Sequence, residues 1–339
     1  MTNAGGTSGE ATIRSLGEKI DEVLGPLLPP GTPYALLDFP NHANVGDSAI
    51  WLGEKGWLHR QGLRLVYACD VATYSRRRLA ARLGDGVILL HGGGNLGDFW
   101  LEHQQFREQV IQDFPGHRII QLPQTIYFMD EWGVGEARRT FDAHHNLTLL
   151  CRDRPSLDFA RKQFAAPSLL CPDMAFAVGP LERAGPPVKD ILWLGRTDAE
   201  SAALPVPALG ANVERIDWLE EEPTPVRERN QALSRQVERD PPDGSSVLDP
   251  LIDTYDILAS ERLRRGCQIL SRGKVVVTDR LHGHVLCLLL GIPHVLLDNV
   301  YGKLRAFSET WTRNCPFARP AGSPAEALRL AEEFVGSRS

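Results

Sequence analysis

The chain lacks the features that mark several large functional classes. Its six cysteines (Cys69, Cys151, Cys171, Cys267, Cys287 and Cys315) are scattered with no CxxC pair. Their spacing therefore spells neither a zinc site nor a disulfide framework, and they read as small core residues of a reducing compartment. Positive charge is not in excess: 37 Lys+Arg against 43 Asp+Glu give a net charge of -6. That excludes broad electrostatic attraction to nucleic acid or anionic lipid. No apolar run is long enough to span a bilayer. The longest, Val285 to Ile292, falls well short of the roughly 20 residues a spanning helix needs. The stretch "MTNAGGTSGEAT" has no basic region followed by an apolar one, so no secretory signal is visible and a cytoplasmic location is expected. Walker A and HExxH patterns are missing too, and neither a metal nor a resident cofactor is expected.

What remains is a soluble α/β protein. At 339 residues, with 42% hydrophobic residues, the chain is longer than one core usually organises, which predicts two domains. Short β-rich runs alternate with amphipathic segments, the rhythm of βαβ units and a parallel sheet. Strand candidates are "YALLDF" (34–39), "LRLVYAC" (63–69), "GVILLHG" (86–92), "RIIQLP" (118–123), "LTLLCRD" (147–153) and "SLLCPDM" (168–174). Helices are expected at 10–24, Asp47–Gly62 and about Asp98–Phe114. The segment "GPLERAGPPVKD" (179–190) mixes Gly, Pro and charge and marks the boundary. It divides residues 1–180 from 188–322, with a last helix in 323–339. The second half restarts with "ILWLGRTD" (191–198) and resumes with strand "KVVVTD" (274–279), a helix at 281–290 and strand "HVLLD" (294–298). Residues 200–246 between them read as surface loop and solvated helix. Two Rossmann-like domains facing across a cleft are expected, with ligands at the carboxyl ends of the strands.

Five strand ends carry candidate chemistry. After the first strand, "PNHANVGDSAIW" offers Asn44 and Asp47; Asp47 or Ser48 is a natural helix cap, and a helix start after Gly also suits an anion or a sugar hydroxyl. "LLHGGGNLGDFW" brings a triple glycine, which lets backbone approach a ligand or form a tight turn, then Asn95 and Asp98. An amide beside a carboxylate suits carbohydrate hydroxyls better than phosphate. "CRDRPS" places Arg152 where it could hold an anion or brace the turn through an Arg–Asp pair, and Arg196 follows the first strand of the second half. In "VVTDRLHGH", Arg280, His282 and His284 crowd a helix start, where the dipole disfavours cations unless an anion compensates. Arg280 would hold that anion and His282 could move a proton near neutral pH. Positions i and i+2 diverge on a helix, so His284 faces elsewhere and reads as packing or support.

Taken in order, "NHANVGDSAIW", "HGGGNLGDFW", "CRDRPS", "PDM" and "TDRLHGHVLCLLLGIP" make the chain resemble the polysaccharide pyruvyl transferase family over residues 34 to 311. The resemblance implies a GT-B-like pair of domains and an EC 2.5.1-type transfer from phosphoenolpyruvate to two hydroxyls of one sugar. The product is a cyclic pyruvate ketal in an exopolysaccharide precursor, with phosphate released. It also implies donor contacts from Arg280, Arg152, Arg196 and His284, catalysis by His282 with Arg280, and an acceptor side at Asn44, Asp47, Asn95 and Asp98. The partners implied are phosphoenolpyruvate and a lipid-linked sugar, with peripheral membrane contact through "FWLEHQQF" (99–106). Two rivals share the architecture: a nucleotide-sugar glycosyltransferase and a non-catalytic component of polysaccharide assembly.

Overall fold

The computed structural model describes residues 4–198, 200–202, 205–240, 247–298 and 302–337. Its first strands are β1 (Pro33–Leu37), β2 (Arg64–Cys69), β3 (Val87–Leu90), β4 (Gly93–Leu96), β5 (Ile119–Ile126), β6 (Leu147–Cys151) and β7 (Ser168–Leu170). They form one parallel sheet in the order β2-β1-β3-β5-β6-β7, with β4 pairing β5 off that path. The crossovers carry helices α2 (Val45–Arg60), α3 (Arg76–Leu83), α4 (Leu101–Asp113), α5 (Glu131–Asp142) and α6 (Arg154–Gln163), and α1 (Ala4–Leu24) precedes them.

The second parallel sheet is built from β8 (Lys189–Leu194), β9 (Val213–Ile216), β10 (Gly273–Thr278), β11 (His294–Leu296) and β12 (Ala318–Pro320), in the order β12-β11-β10-β8-β9. Helices α7 (Pro225–Arg239), α8 (Leu248–Ser271), α9 (Leu281–Leu289), α10 (Lys303–Trp311) and α11 (Pro324–Gly336) belong to this half of the chain. Alternation sorts its side chains. Leu192, Leu194, Val276 and Leu296 face the main core, while Ile191, Trp193, Val275, Val277 and Val295 face outward under Ala327, Ala331 and Phe334 of α11.

The two sheets repeat one winding. In each, the first strand lies between the second and third (β1 between β2 and β3, β8 between β9 and β10). Crossovers leave that strand in opposite directions, and the crevice opened at the carboxyl ends is where such sheets bind ligands. Packing does not follow chain position so neatly. Helix α8, late in the sequence, lies on α2 of the first half: Trp51 Nε1 donates to Asp256 Oδ1 at 2.8 Å, and Tyr255 stacks on Phe39 with ring centroids 4.1 Å apart. Arg262 Nη1 donates to the Pro40 carbonyl at 3.0 Å.

Three local expectations change. The triple glycine does not turn straight into a helix; Gly93–Leu96 forms β4, followed by a 3-10 turn at Asp98–Trp100 and then α4. Helix α2 starts at Val45, and its cap is Asn44, whose side chain accepts from Gly46 N at 3.2 Å, rather than Asp47 or Ser48. Within 200–246, a region read as loop and solvated helix, Val213–Ile216 extends the second sheet and Asn230, Ser234 and Val237 of α7 are buried. Residues 241–246 lie outside the described set.

Helix α2 also presses directly on the backbone of the turn at Met174–Val178. A Cβ at Gly53 would stand 1.9 Å from the Met174 carbonyl oxygen. In an exposed helix Gly→Ala would stabilise by up to about 1 kcal/mol. At this contact Gly53→Ala should instead destabilise by about 1–3 kcal/mol, read from urea unfolding midpoints; a midpoint that rises would mean the close packing is wrong.

Candidate active site

The carboxyl ends of both sheets open on one cavity of about 450 Å³, within the range of ordinary ligand pockets. From the first half it receives the segment after β1 (Asp38, His42, Asn44, Asp47), the segment after β3 (His91, Gly94, Asn95), His103 of α4 and Arg152 after β6. From the second half come Arg196, Asp198 and Glu200 after β8, Trp218 after β9, Asp279, Arg280 and His282 after β10, and Lys303 of α10.

Two of these lining residues, Arg152 and His282, meet at Asp173, which is fully buried just after β7. Its Oδ2 accepts from Arg152 Nη1 at 2.7 Å and meets His282 Nε2 at 3.3 Å. Burial alone would raise this carboxyl, yet the charges of His282 and Arg152 with the Ala175 N–H hold it well below the ordinary carboxylate range. Arg152 Nε donates to Thr125 Oγ1 at 2.9 Å, which leaves Nη2 beside Gly94 without a protein acceptor among the described residues. Both readings of Arg152 therefore meet: it braces a carboxylate and still presents one edge. Close approach explains Gly46 in the same way, because a Cβ there would stand 2.3 Å from His282 Nδ1. Helix α2 can abut that imidazole only with glycine at this place.

The cations at the start of α9 have their own counter-charges. Arg280 Nε and Nη2 each donate to the Asp217 carboxylate at 2.6 Å, and Nη2 also reaches Asp198 Oδ2 at 3.2 Å. The inference that only a bound anion could compensate this helix start is thus corrected: side chains from the β8 and β9 ends do so. Arg280 Nη1 keeps no protein acceptor among the described residues. Arg196 pairs with Asp198 at 2.8 Å and with Glu200 at 3.1 Å, and Glu200 also accepts from Lys303 Nζ at 2.9 Å.

Two expected site residues do not reach the cavity. His284 is wholly buried between His294 and Thr312, with its Nδ1 2.6 Å from His294 Nε2 and its Nε2 2.8 Å from Thr312 Oγ1. Since His294 Nδ1 donates to the Ile292 carbonyl, the consistent assignment has His284 Nδ1–H donating and Thr312 donating to Nε2. Burial pushes His294 down to about 4 and His284 well below its ordinary value, so both stay neutral. As a donor ligand His284 is corrected to a core residue. Asp98 likewise faces α5, its Oδ1 accepting from Met129 N at 2.6 Å. Asn95 does line the cavity, its Oδ1 fixed by Arg107 Nη2 at 2.9 Å and Gln124 Nε2 at 2.8 Å. Asn44 donates to Asp47 Oδ2 at 2.8 Å, so those two act as a unit.

Two histidine–carboxylate pairs on the first-half wall escaped sequence reading. His103 Nδ1 lies 2.9 Å from Asp38 Oδ1; Asp38 is a buried non-glycine residue at φ 72°, the kind of strained backbone that clusters at functional sites. Burial opposes the charge on His103, but bonding to Asp38 outweighs it and raises the imidazole. His91 Nδ1 lies 2.7 Å from Glu54 Oε2, while Glu54 Oε1 accepts from Gly92 N at 2.8 Å. Asp38 and His91 directly follow β1 and β3, so position alone could have found them; Glu54, Asp217, Glu200 and Lys303 sit in no motif.

The Asp173 linkage carries a pH signature. A depressed folded-state pKa means stability that is present above the unfolded value of about 3.9 and lost as pH falls below it. Asp173→Asn should cost about 3–5 kcal/mol near pH 7 by leaving Arg152 unpaired. The gap to the parent protein should narrow between pH 4 and pH 2.5; a constant gap in denaturant titrations would show that the carboxylate charge is not what matters.

Comparison with known proteins adds identity to this geometry. The chain is 34% identical over 304 residues to Pyruvyl transferase 1 of Schizosaccharomyces pombe, covering 83% of this chain and 70% of that protein. It is 29% identical over 309 residues to Putative pyruvyl transferase EpsO of Bacillus subtilis, covering 90% of this chain and 93% of that protein. Among solved structures, that of a functionally uncharacterised protein from Klebsiella pneumoniae matches with a TM-score of 0.55 at 19% identity, over 95% of this chain and 100% of that one, a likeness of fold alone. The family profile described as polysaccharide pyruvyl transferase matches residues 44–299, which include every residue lining the cavity except Asp38, Pro40, His42, Ala43, Lys303 and Leu304. This chain belongs to the polysaccharide pyruvyl transferase family.

Proposed function

We propose that the protein transfers the pyruvyl group of phosphoenolpyruvate to two hydroxyls of one sugar, forming a cyclic ketal and releasing phosphate. The observation that carries this reading is the Arg152–Asp173–His282 linkage, set between two strand-end crevices in a pyruvyl transferase chain. The donor is a small polyanion with a carboxylate and a phosphate, and guanidinium edges match both groups. Arg152 Nη2 and Arg280 Nη1 are the edges on offer, with Arg196 beside them as a third donor contact. The second half is then mainly the donor side, with Arg152 facing the donor across the cleft; the first half supplies acceptor contacts at Asn44, Asp47 and Asn95, and the two sheets act as a GT-B-like pair split near residues 180–188.

His282 supplies the proton in this scheme. Its imidazolium protonates the methylene carbon of the enol, using the C=C π electrons, so the adjacent carbon becomes electrophilic. Asp173 beside Nε2 stabilises the charged ring before that transfer. One acceptor hydroxyl then adds, phosphate leaves with its bridging oxygen, and the second hydroxyl closes the ring. The acceptor is a lipid-linked sugar of exopolysaccharide assembly. Trp100 (38% exposed), Leu101 (50%), Met129 (61%) and Trp132 (72%) support a peripheral lipid contact at the α4–α5 edge, which the Asp98–Met129 hydrogen bond draws together. No helix among the described residues is long and apolar enough to cross a membrane.

Phosphate release from phosphoenolpyruvate, assayed against a panel of free and lipid-linked sugars, is expected with at least one acceptor and one ketal formed per phosphate. His282→Ala should lower kcat by about 10²–10⁴-fold in protein that still unfolds cooperatively, though at a lower Tm. Hexose transfer from a nucleotide sugar, or no phosphate release with any acceptor, would overturn the proposal.

A further inference from the structure

Ketal formation removes two hydroxyl protons, whereas the scheme above names one proton-carrying side chain. His282 has little freedom to serve both, since Asp173 holds its Nε2 and only one ring nitrogen is left for the reactants. A second imidazole stands in the same cavity. His91 lines the first-half wall, is 2% exposed, and its Nε2 is a buried nitrogen with no hydrogen-bond partner among the described residues. Buried polar atoms are rarely left so, and such an orphan calls for a ligand or a chemical role. Its other nitrogen is held by Glu54, itself fully buried and oriented by the Gly92 N–H. Nucleophile-activating bases share this order: a carboxylate fixes one ring nitrogen and the other meets the substrate.

Resting on the pyruvyl transfer reading, we infer that His91, positioned by Glu54, is a catalytic base that takes the proton of one acceptor hydroxyl at Nε2. The hydroxyl oxygen forms its bond to the electrophilic donor carbon as its O–H bond breaks and the proton moves to Nε2. The resulting imidazolium is balanced by Glu54. That proton then passes to the bridging oxygen as the C–O bond to phosphate breaks, leaving His91 neutral. The second hydroxyl returns a proton to His282. Across the cycle one proton ends on the methyl carbon, one on phosphate, and both imidazoles are restored.

The charged surroundings favour this role. Burial would lower His91, but the charge and hydrogen bond of Glu54 outweigh it, and Asp38 after β1 and Asp47 of α2 add to the lift. His103 and Arg107 face Asp38, while His42, His282 and Arg152 face Asp47; Asp173 is the further charge near Glu54. The acid limb of kcat/KM for the acceptor should therefore lie above the ordinary imidazole range, activity falling as His91 gains its proton.

Two variants test the inference in the phosphate-release assay with the full chain. His91→Asn keeps an N–H for Glu54 and removes Nε2. Glu54→Gln turns its amide N–H toward Nδ1, because Gly92 N holds the oxygen, and so forces the proton onto Nε2. Each should lower kcat about 10²–10⁴-fold while KM for phosphoenolpyruvate stays within about threefold and the thermal transition remains cooperative. The residual activity of His91→Asn should lose the acid limb. If the parent protein turns over and both folded variants keep kcat within about threefold with that limb unmoved, His91 merely braces the loop after β3 and the inference falls while the transferase reading stands. If either variant does not fold, the other decides by the same limb. If the parent releases no phosphate, the transferase reading fails first and this inference with it.

Discussion

A single carboxylate ties the active site together. Asp173 is fully buried at the end of the first sheet, and it is shared by Arg152 of that sheet and His282 of the second. Alone, a carboxylate in that position would carry a desolvation cost of several kcal/mol. With Arg152, His282 and a backbone N–H as partners it stays ionised. The surrounding architecture follows from keeping those three groups in contact. Helix α2 must run close enough to pack on His282, which requires glycine at 46, and the turn after Asp173 must press on the same helix, which requires glycine at 53. The two halves cannot separate at this seam without exposing a charge cluster that was assembled for burial.

The same logic governs the other cations. Arg280 is matched to Asp217 and Asp198, and Arg196 and Lys303 are both matched to Glu200. The cations of the cavity thus arrive partly neutralised. That is the usual condition for guanidinium inside a protein, where an unpaired charge is costly. Recognition then depends on the donors left over rather than on total charge. An Arg fork has five N–H groups, and neither Arg152 nor Arg280 uses all of its nitrogens on protein acceptors. Residual, geometrically fixed edges select for a ligand's shape as well as its charge.

How much of this the sequence disclosed depends on whether the signal was local. Strand runs such as "GVILLHG" and "KVVVTD" are buried on both faces, so composition alone marks them, and the α/β rhythm followed. Arg152, Arg280 and His282 were legible because they follow such runs directly. The divergence of His282 and His284 was legible from helical geometry, although assigning His284 to the donor ignored that same argument. What could not be read was pairing across distance. Nothing near Arg280 announces Asp217, 63 positions away, and nothing near His91 announces Glu54, 37 positions away. Those contacts exist only once the sheets are wound, and the 200–246 region looked dispensable because its site residues stand singly among loop composition. Asp98 misled for the opposite reason: a polar residue just after a glycine-rich strand end has the right address, but β4 intervenes and turns it toward α5.

The winding also accounts for why the His103–Asp38 and His91–Glu54 pairs collect on one wall. Asp38 and His91 occupy the carboxyl ends of β1 and β3, adjacent strands whose crossovers depart in opposite directions. At such a point neither following helix covers the strand ends, so polar side chains there can remain in contact with a ligand. The second sheet repeats the geometry with β8 and β10, and there a guanidinium follows each strand among carboxylates: Arg196 with Asp198 and Glu200 after one, Arg280 with Asp279 after the other. One winding used twice thus yields two unlike walls, imidazole–carboxylate pairs facing paired guanidiniums. The difference between the two walls is therefore a consequence of which side chains follow the same pair of strands.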